Sequence, residues 1–404
     1  MMNTSTSSSD QPLLKDPPDF SVVLGGPLFQ LFRRSRLTND DLQLLRRRII
    51  AISLFCWLPL LVLALLGGQL LSGSVAVPFL LDVEVHAKFL LAMPLLIGAE
   101  LVVHRRMRHL VRQFLQRRLI PEGAVARFEA AVASAFRLRN SVLAEVLLIA
   151  FVYAVGILIV WRHYMALDAA TWYATPSAGG SKLSLAGIWY GYVSLPVFQF
   201  LLIRWYYRLV IWARFLWQVS RIKLSLVPTH PDRLGGLGFI SGTAYAFALL
   251  ATAHGALLAG QIANRIFYLG ASLLAFKVEI AVLIVVMIGM IFGPLLVFMW
   301  QLADAKRTGK REYDTLAQRY VREFDAKWLR GGAPAGEPLV GSADIQSLAD
   351  IGSSVDVVRE MRIVPVTRAA LLQVAAATLA PIVPLALTLM PLEELLKKLF
   401  GILF

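Results

Sequence analysis

A polar turn rich in glycine is the segment of this chain whose residues are best suited to chemistry. The run THPDRLGGLGFISG occupies residues 229–242 and places His230 and Asp232 two residues apart. Because a histidine titrates near neutrality, the pair could act as an acid and a base, or gate a path by its charge. A structural turn, in which Asp232 caps the helix that follows, explains the same residues.

Gly235, Gly236 and Gly238 follow this pair and lead into an apolar stretch. Glycine allows backbone conformations that other residues avoid, and the first N–H groups of the following helix can hold an anion. The spacing is not the dinucleotide-binding fingerprint, because no strand pattern precedes it. The glycines therefore indicate either an anion-holding loop or a place where helices approach closely.

Four ionisable side chains lie inside apolar stretches, where a charge is costly unless it is paired or hydrated. Glu100 and Glu145 lie in two different stretches. Arg204 and Arg208 lie in a third, four residues apart and therefore on one face of a helix. All four are within a few helical turns of the predicted cytoplasmic boundary, so we predict a shared layer of acids and bases. The alternatives are arginines that extend to lipid headgroups and a purely structural ion pair.

The run DVEVH at residues 82–86 alternates Asp82, Glu84 and His86 with valines. In a strand these three side chains would share one face and could form a metal or proton site. A short polar loop is the alternative, because no second cluster of ligands accompanies them. Cys56 is the only cysteine, which excludes internal disulfides and zinc sites with several cysteines. With no recognisable catalytic, cofactor or metal motif, we predict that the chain is not an enzyme.

The composition is that of a membrane protein. Hydrophobic residues make up 57% of the chain, charged residues 16%, and the mean hydropathy is +0.65. Seven apolar stretches approach the roughly 20 residues that cross about 30 Å of hydrocarbon as a helix. They run over residues 49–71, 87–103, 142–161, 186–212, 237–260, 272–300 and 370–390.

The basic residues are concentrated in every second segment between these stretches. Of the 40 lysines and arginines, 33 fall in segments 1–48, 104–140, 204–236 and 301–369. The positive-inside rule then predicts that these segments and the N-terminus are cytoplasmic. The formal charge of +14 does not indicate a nucleic-acid surface, because its residues gather at the ends of spans. Prolines in the seventh stretch leave a re-entrant segment as an alternative to a seventh crossing.

Four regions follow from these patterns. Residues 1–20 are predicted to be a disordered cytoplasmic tail, because they hold too little apolar surface to fold. Residues 21–300 form the membrane domain with six crossings, and residues 301–368 form a cytoplasmic helical lobe. Residues 369–404 hold the seventh stretch and a short amphipathic helix at the membrane surface.

Residues 104–140 are predicted to form two basic amphipathic helices separated at Pro121 and Gly123. They would form a cytoplasmic hairpin or lie on the bilayer. Anionic lipid headgroups are a predicted partner, because each basic residue near such a surface contributes about 1 kcal/mol. Arginines that only set the topology are the alternative.

The predicted lobe begins where the sixth stretch continues past the membrane. Its apolar residues recur at helical spacing and form a stripe that needs a partner. The stripe comprises Tyr313, Leu316, Tyr320, Val321, Phe324 and Trp328. The run GGAPAGEP at residues 331–338 should end this helix. Ser342 and Asp344 should start another one, which we expect to break near Gly352.

Three runs together resemble a known group of proteins. They are HPDRLGGLGF, the later GSADIQSLADIGSS and the closing MPLEELLKKLF. This combination resembles uncharacterised bacterial polytopic inner-membrane proteins that carry an HPDxxGGLGF turn, and the likeness covers most of residues 220–404. It implies a place in the bacterial inner membrane and implies no activity.

The sequence therefore predicts an all-α polytopic bundle of about seven transmembrane helices with cytoplasmic helical extensions. The leading hypothesis is permeation of a small solute or ion, as a channel or transporter, in a monomer or homo-oligomer. The intramembrane charges and the turn at residues 230–238 would then form the cytoplasmic gate. A second hypothesis is a sensor, scaffold or assembly factor whose lobe engages a cytoplasmic protein. An enzyme at the membrane interface is the third.

Overall fold

The computed structural model describes residues 20–27, 30, 44–71, 75–161, 171–177 and 180–389. The described part of the chain is mostly helical and contains one two-stranded sheet, which agrees with the predicted all-α class. The helices are α1 Leu45–Leu66, α2 Val83–Gln116, α3 Val125–Arg139, α4 Val142–Phe151, α5 Leu185–Val219, α6 Leu237–Leu269, α7 Leu273–Leu329, α8 Ala343–Arg359 and α9 Arg368–Leu379. A π-helical continuation of α4 covers Val152–Trp161, and a two-stranded hairpin pairs β1 Ala174–Ser177 with β2 Gly180–Leu183.

Five helices, α1, α2, α5, α6 and α7, are long and apolar enough to cross a membrane. The number rises to seven if two bent pairs each count as one span. One pair joins α3 to α4 through a bend of 47°, and the other joins α9 to a 3-10 turn at Val383–Leu389 through a bend of 58°. Each of the seven apolar stretches found in the sequence thus contains helix. The second bend lies at Pro381, which has no backbone N–H to donate and therefore interrupts the helix.

Helix α6 occupies the centre of the bundle. It contacts α2, α7 and α9, and 67% of its apolar window is buried, against 22% for α1 and for α7. Small residues allow this close approach, since alanine and glycine let helix backbones meet. At Gly255 a Cβ atom would lie 2.0 Å from the carbonyl oxygen of Thr378 in α9. The apolar side chains of α1 and α7 that are not buried in the bundle face outward.

The two ends of the bundle differ in charge. We call the end where α1 begins the basic side, because Arg47 and Arg105 are exposed there. The segment that holds α9 runs from this side to the opposite one. Near its start, Pro365 accepts a hydrogen bond from the hydroxyl of Ser241 at the beginning of α6. At its far end, Val383–Leu389 contacts Leu273–Phe276, where α7 begins. The final residues, including the predicted amphipathic helix at 391–404, lie outside the described part of the chain.

The basic segment 104–140 contains two helices separated at Pro121, as predicted, but the first of them is the end of α2. Residues 104–116 continue α2 without a break, and only α3 is a separate helix. The separation does fall at the predicted Pro121, and Arg118 before it has a positive φ of 52°. The first basic segment is therefore a rigid extension of a membrane helix.

The lobe is a hairpin of α8 against the far half of α7. As predicted, α7 continues past its apolar part, ends before Gly331, and is followed by a helix that Ser342 caps. Much of the predicted stripe faces α8: the hydroxyl of Tyr320 donates to the carbonyl of Asp344, while Leu316 and Val321 stay half exposed. The predicted break near Gly352 is wrong, because α8 passes through that residue, and contacts of Val355 and Val358 outweigh the weak helix propensity of glycine.

Candidate functional site

The buried charges predicted from the sequence meet around Glu100 in α2. Its Oε1 accepts a hydrogen bond of 2.7 Å from Nη2 of Arg208, and Nη1 of Arg204 lies 3.7 Å from the same oxygen. Its Oε2 accepts from the guanidinium of Arg48 in α1. All of these side chains are buried. One carboxylate therefore holds three guanidinium groups from two neighbouring helices.

Glu145 extends this cluster to α4. Its Oε1 accepts a hydrogen bond of 3.2 Å from Nη2 of Arg204. Glu145 lies in the first turn of α4, and the hydroxyl of Ser141 caps that turn by accepting from the N–H of Ala144. The predicted layer of Glu100, Glu145, Arg204 and Arg208 thus exists as a geometric unit, while its role as a gate stays a prediction. We call it, together with Arg48, the charge cluster.

Arg48 belongs to the cluster, although the sequence pattern places it only among the arginines at residues 46–48 that precede the first apolar stretch. Its neighbours Arg46 and Arg47 are exposed, whereas Arg48 is 1% exposed. Arg48 begins a series at multiples of four residues that includes Cys56 and Leu60, both fully buried, eight and twelve residues later in α1. That spacing is the signal that could have identified it.

The N-terminal segment covers the basic side of the cluster. Phe20, predicted as the end of a disordered tail, is fully buried and its ring centroid lies 4.8 Å from that of Phe215. The hydroxyl of Ser21 lies 3.0 Å from Nδ1 of His104. A Cβ at Gly26 would lie 3.0 Å from Oε1 of Glu145. The prediction of disorder is therefore wrong for Phe20, because its aromatic ring finds a pocket that composition does not reveal; residues 1–19 lie outside the described chain.

On the other side of the cluster the bundle is apolar. The inward side chains of α2 and α5 at this level include Met93, Leu96, Phe198 and Leu201, all buried. This apolar zone continues along α2 to Lys88, twelve residues before Glu100, or about 18 Å of helix. Between Lys88 and Glu100, the buried residues of α2 are all apolar: Phe89, Ala92, Met93, Leu96, Ile97 and Ala99.

A second polar group lies at the far end of this zone, around residues 82–88. Asp82 caps α2 and residues 83–88 form its start, so the strand that would align Asp82, Glu84 and His86, one of the two alternatives, is not formed. Nζ of Lys88 donates to Glu84 and to the hydroxyl of Tyr190, while Asp82 accepts from Nδ2 of Asn264 in α6 and from Nε1 of Trp172. The three side chains have different partners: Asp82 bonds to Asn264, Glu84 to Lys88, and Nδ1 of His86 accepts from Nε1 of Trp57. The described residues contain no group of three His, Cys, Asp or Glu side chains able to hold a metal.

The HPD turn, residues 229–242, is built around the carboxylate of Asp232. One oxygen accepts from the N–H groups of Leu234 and Gly236, at 2.8 and 3.1 Å. The other accepts from the N–H of Gly238 at 2.8 Å. Burial alone would raise the pKa of Asp232, but these three N–H groups outweigh it and lower the pKa. The cap is thus kept at neutral pH and is lost only as the pH falls through that lowered pKa.

The glycines of the turn serve this cap. Gly235 and Gly236 have positive φ values of 62° and 97°, which other residues rarely adopt. At Gly238 a Cβ would lie 2.9 Å from Oδ2 of Asp232. Nδ1 of His230 lies 3.0 Å from Oδ1 of the same carboxylate. Both oxygens of Asp232 thus accept hydrogen bonds from the backbone of the turn, so the carboxylate has a structural role there.

The HPD turn and the charge cluster lie apart, although the sequence analysis placed both in one gate. Nη1 of Arg117, the residue after α2, donates to the carbonyl of Gly236 and lies 4.0 Å from Oδ2 of Asp232. Glu100 is seventeen residues earlier, which is about 25 Å along the helix. The structure thus separates a buried ion cluster from a turn on the basic side.

The HPD turn instead receives the end of the lobe. The carbonyl of Arg233 accepts a 2.7 Å hydrogen bond from the N–H of Arg362. The guanidinium of Arg233 lies 2.7 Å from the carboxylate of Glu360. The methyl of Met361 would contact a Cβ at Gly235 at 3.2 Å. From α7, Nζ of Lys306 donates to the carbonyl of Met361 at 2.7 Å. The lobe, the turn and the start of α6 are therefore joined at one place.

Comparison of the chain with protein-family models, with curated proteins and with solved structures gave no match.

Proposed function

We propose that this chain is a membrane sensor or assembly factor of the bacterial inner membrane that acts through its cytoplasmic lobe. The basic side would face the cytoplasm, as the loop charges predict. The observation that supports the proposal is the set of contacts between the end of the lobe and the HPD turn, which we call the junction. There the returning end of the lobe is bonded to the segment that begins α6, the most buried of the candidate spans.

The position of this junction supports transmission in both directions. Gly309 of α7 has no room for a side chain, since a Cβ there would lie 2.5 Å from Pro228 before the turn. The hydroxyl of Ser241 adds a bond to Pro365, which leads into α9. A shift of the lobe would therefore move α6 and α9 together. A rigid junction of this kind transmits displacement because dense contacts resist compression.

The tip of the lobe is where a cytoplasmic protein partner would bind in this proposal. Leu329, Leu339 and Val340 are 69%, 46% and 87% exposed. They lie at the turn between α7 and α8, about 45 Å of helix beyond Trp300. Exposed apolar side chains at the end of a projecting hairpin are typical of a protein contact.

Hydrogen exchange tests the coupling. With the full chain in lipid nanodiscs, Lys306→Ala removes the donor to the carbonyl of Met361. We expect amide hydrogen exchange to become about tenfold faster in residues 355–366 and also in residues 237–245. This factor corresponds to the free energy that one hydrogen bond from a charged donor contributes.

Lys310→Ala is the matched control, because Lys310 is exposed and lies one helical turn further along α7. It should leave both segments unchanged. If Lys306→Ala accelerates exchange only in residues 355–366, the lobe is merely attached to the membrane domain and the proposal fails.

Permeation is the second candidate, and the charge cluster is the observation that favours it. In this proposal the cluster and the N-terminal segment are the closed cytoplasmic gate. Glu145→Gln should then increase the flux of small ions through vesicles that contain the protein, relative to the wild type. Glu129→Gln, a change at an exposed carboxylate of α3, should not. Equal flux in all three proteins would remove this candidate.

A further inference from the structure

A groove lined by four arginines lies between α3 and the end of α5. It measures about 460 Å³ and takes Arg127 and Arg137 from α3, and Arg214 and Arg221 from α5 and the residues just after it. All four side chains are exposed. On α5 the lining residues Arg214, Trp217, Gln218 and Arg221 recur at helical spacing, so they form one continuous wall.

The charge of this groove is of one sign. Its lining contains no carboxylate. Glu129 is the only acid of α3, and two residues of helix turn it about 200° away from Arg127. A cleft lined by guanidinium groups concentrates anions, and arginine matches the oxygens of a phosphate with paired donors. The ligand class is therefore a phosphate or phosphodiester.

Contacts within the groove hold its walls in place. Nη2 of Arg127 donates to the carbonyl of Arg221 at 3.0 Å, and the guanidinium of Arg221 lies 5.2 Å from the ring centroid of Trp217. Nε2 of Gln218 lies 3.4 Å from the hydroxyl of Ser134. These contacts join the two helices, so Arg127 and Arg221 are positioned before any ligand arrives.

The surroundings indicate a lipid rather than a free anion. Five residues after Arg137, α4 begins with Val142 and Leu143, which are 62% and 68% exposed. Trp300 is 80% exposed, and the next residue, Gln301, donates to the carbonyls of Ser220 and Ile222 beside the groove. Exposed tryptophan is typical of the headgroup level of a membrane. Apolar surface for acyl chains therefore adjoins the arginines.

We infer that this groove binds the phosphodiester headgroup of an anionic phospholipid, with the acyl chains along the exposed face of α4. The inference is independent of the function of the lobe. Five of the lining residues lie in the basic segment 104–140, and the other four lie on α5 or just after it.

Native mass spectrometry of the detergent-purified full chain tests the inference, with phosphatidylglycerol and phosphatidylcholine as probes. We expect the wild type to retain phosphatidylglycerol in preference to phosphatidylcholine. The double variant Arg137→Gln and Arg214→Gln should bind phosphatidylglycerol about 30-fold more weakly, from the usual contribution of two surface arginines.

The control is the double variant Arg307→Gln and Arg311→Gln, which removes two exposed arginines from α7 and should keep the preference. Retention of the preference by the groove variant would overturn the inference. Inorganic phosphate forms the second arm: it should not displace phosphatidylglycerol at millimolar concentration. Displacement would mean that the groove serves a free anion, which also overturns the lipid assignment.

Discussion

Glu100→Gln should lower the free energy of unfolding by about 3–5 kcal/mol, the usual cost of leaving buried charges without a partner. The amide keeps the shape of the side chain but removes the negative charge shared by Arg48, Arg204 and Arg208. Three guanidinium groups then remain in a buried site. Unfolding by sodium dodecyl sulfate in mixed micelles, followed by tryptophan fluorescence, measures the change.

Glu129→Gln serves as the control for this experiment, because the exposed carboxylate should contribute no more than about 0.5 kcal/mol. A loss below about 1 kcal/mol for Glu100→Gln would contradict the description of the cluster. It would mean that water or other groups already compensate the arginines.

Gly255→Ala should give the second large effect, a loss of about 1–3 kcal/mol from overpacking. The added methyl would lie 2.0 Å from the carbonyl oxygen of Thr378 and 2.9 Å from its carbon, so α6 and α9 must separate. Backbone atoms cannot move aside as the end of a flexible side chain can. The same unfolding assay measures the loss.

Gly289→Ala in α7 is the matched control, since nothing lies within 4 Å of the added methyl. Alanine is the better helix former, so this variant should be as stable as the wild type or slightly more so. If both glycine variants unfold alike, α6 and α9 do not approach each other as closely as the structure has them.

Several features of the candidate site could be predicted because they depend on neighbours in the sequence. A carboxylate in an apolar stretch needs a partner, and Arg204 and Arg208 share a helix face whatever the fold. The bond from the N–H of Gly238 to Asp232 matches the predicted capping only in part, because the N-cap of α6 is Gly236 and the carboxylate reaches the helix across the glycine turn. The distance between the HPD turn and the cluster could not be predicted, because both lie near the same boundary in sequence while α2 continues rigidly past it.

Two errors have the same physical origin. Gly352 was expected to break a helix, and Phe20 was expected to lie in a disordered tail. Both expectations used only the local preference of the chain. Phe20 is instead buried against Phe215, which is distant in sequence. Gly352 stays helical because Val355 and Val358, later in the same helix, are buried where α8 packs against α7. A preference of about 1 kcal/mol for a glycine is smaller than the gain from burying an apolar side chain.

The sequence by itself determined the all-helical class, the apolar stretches and the side on which arginines gather. These properties follow from the thickness of a membrane and the cost of moving charge across it. Only the tertiary structure decided which charges meet. Arg48 and Arg208 reach Glu100 from 52 and 108 residues away. It also decided that the HPD turn receives the lobe. Such pairings depend on how helices pack side by side, which no local pattern specifies.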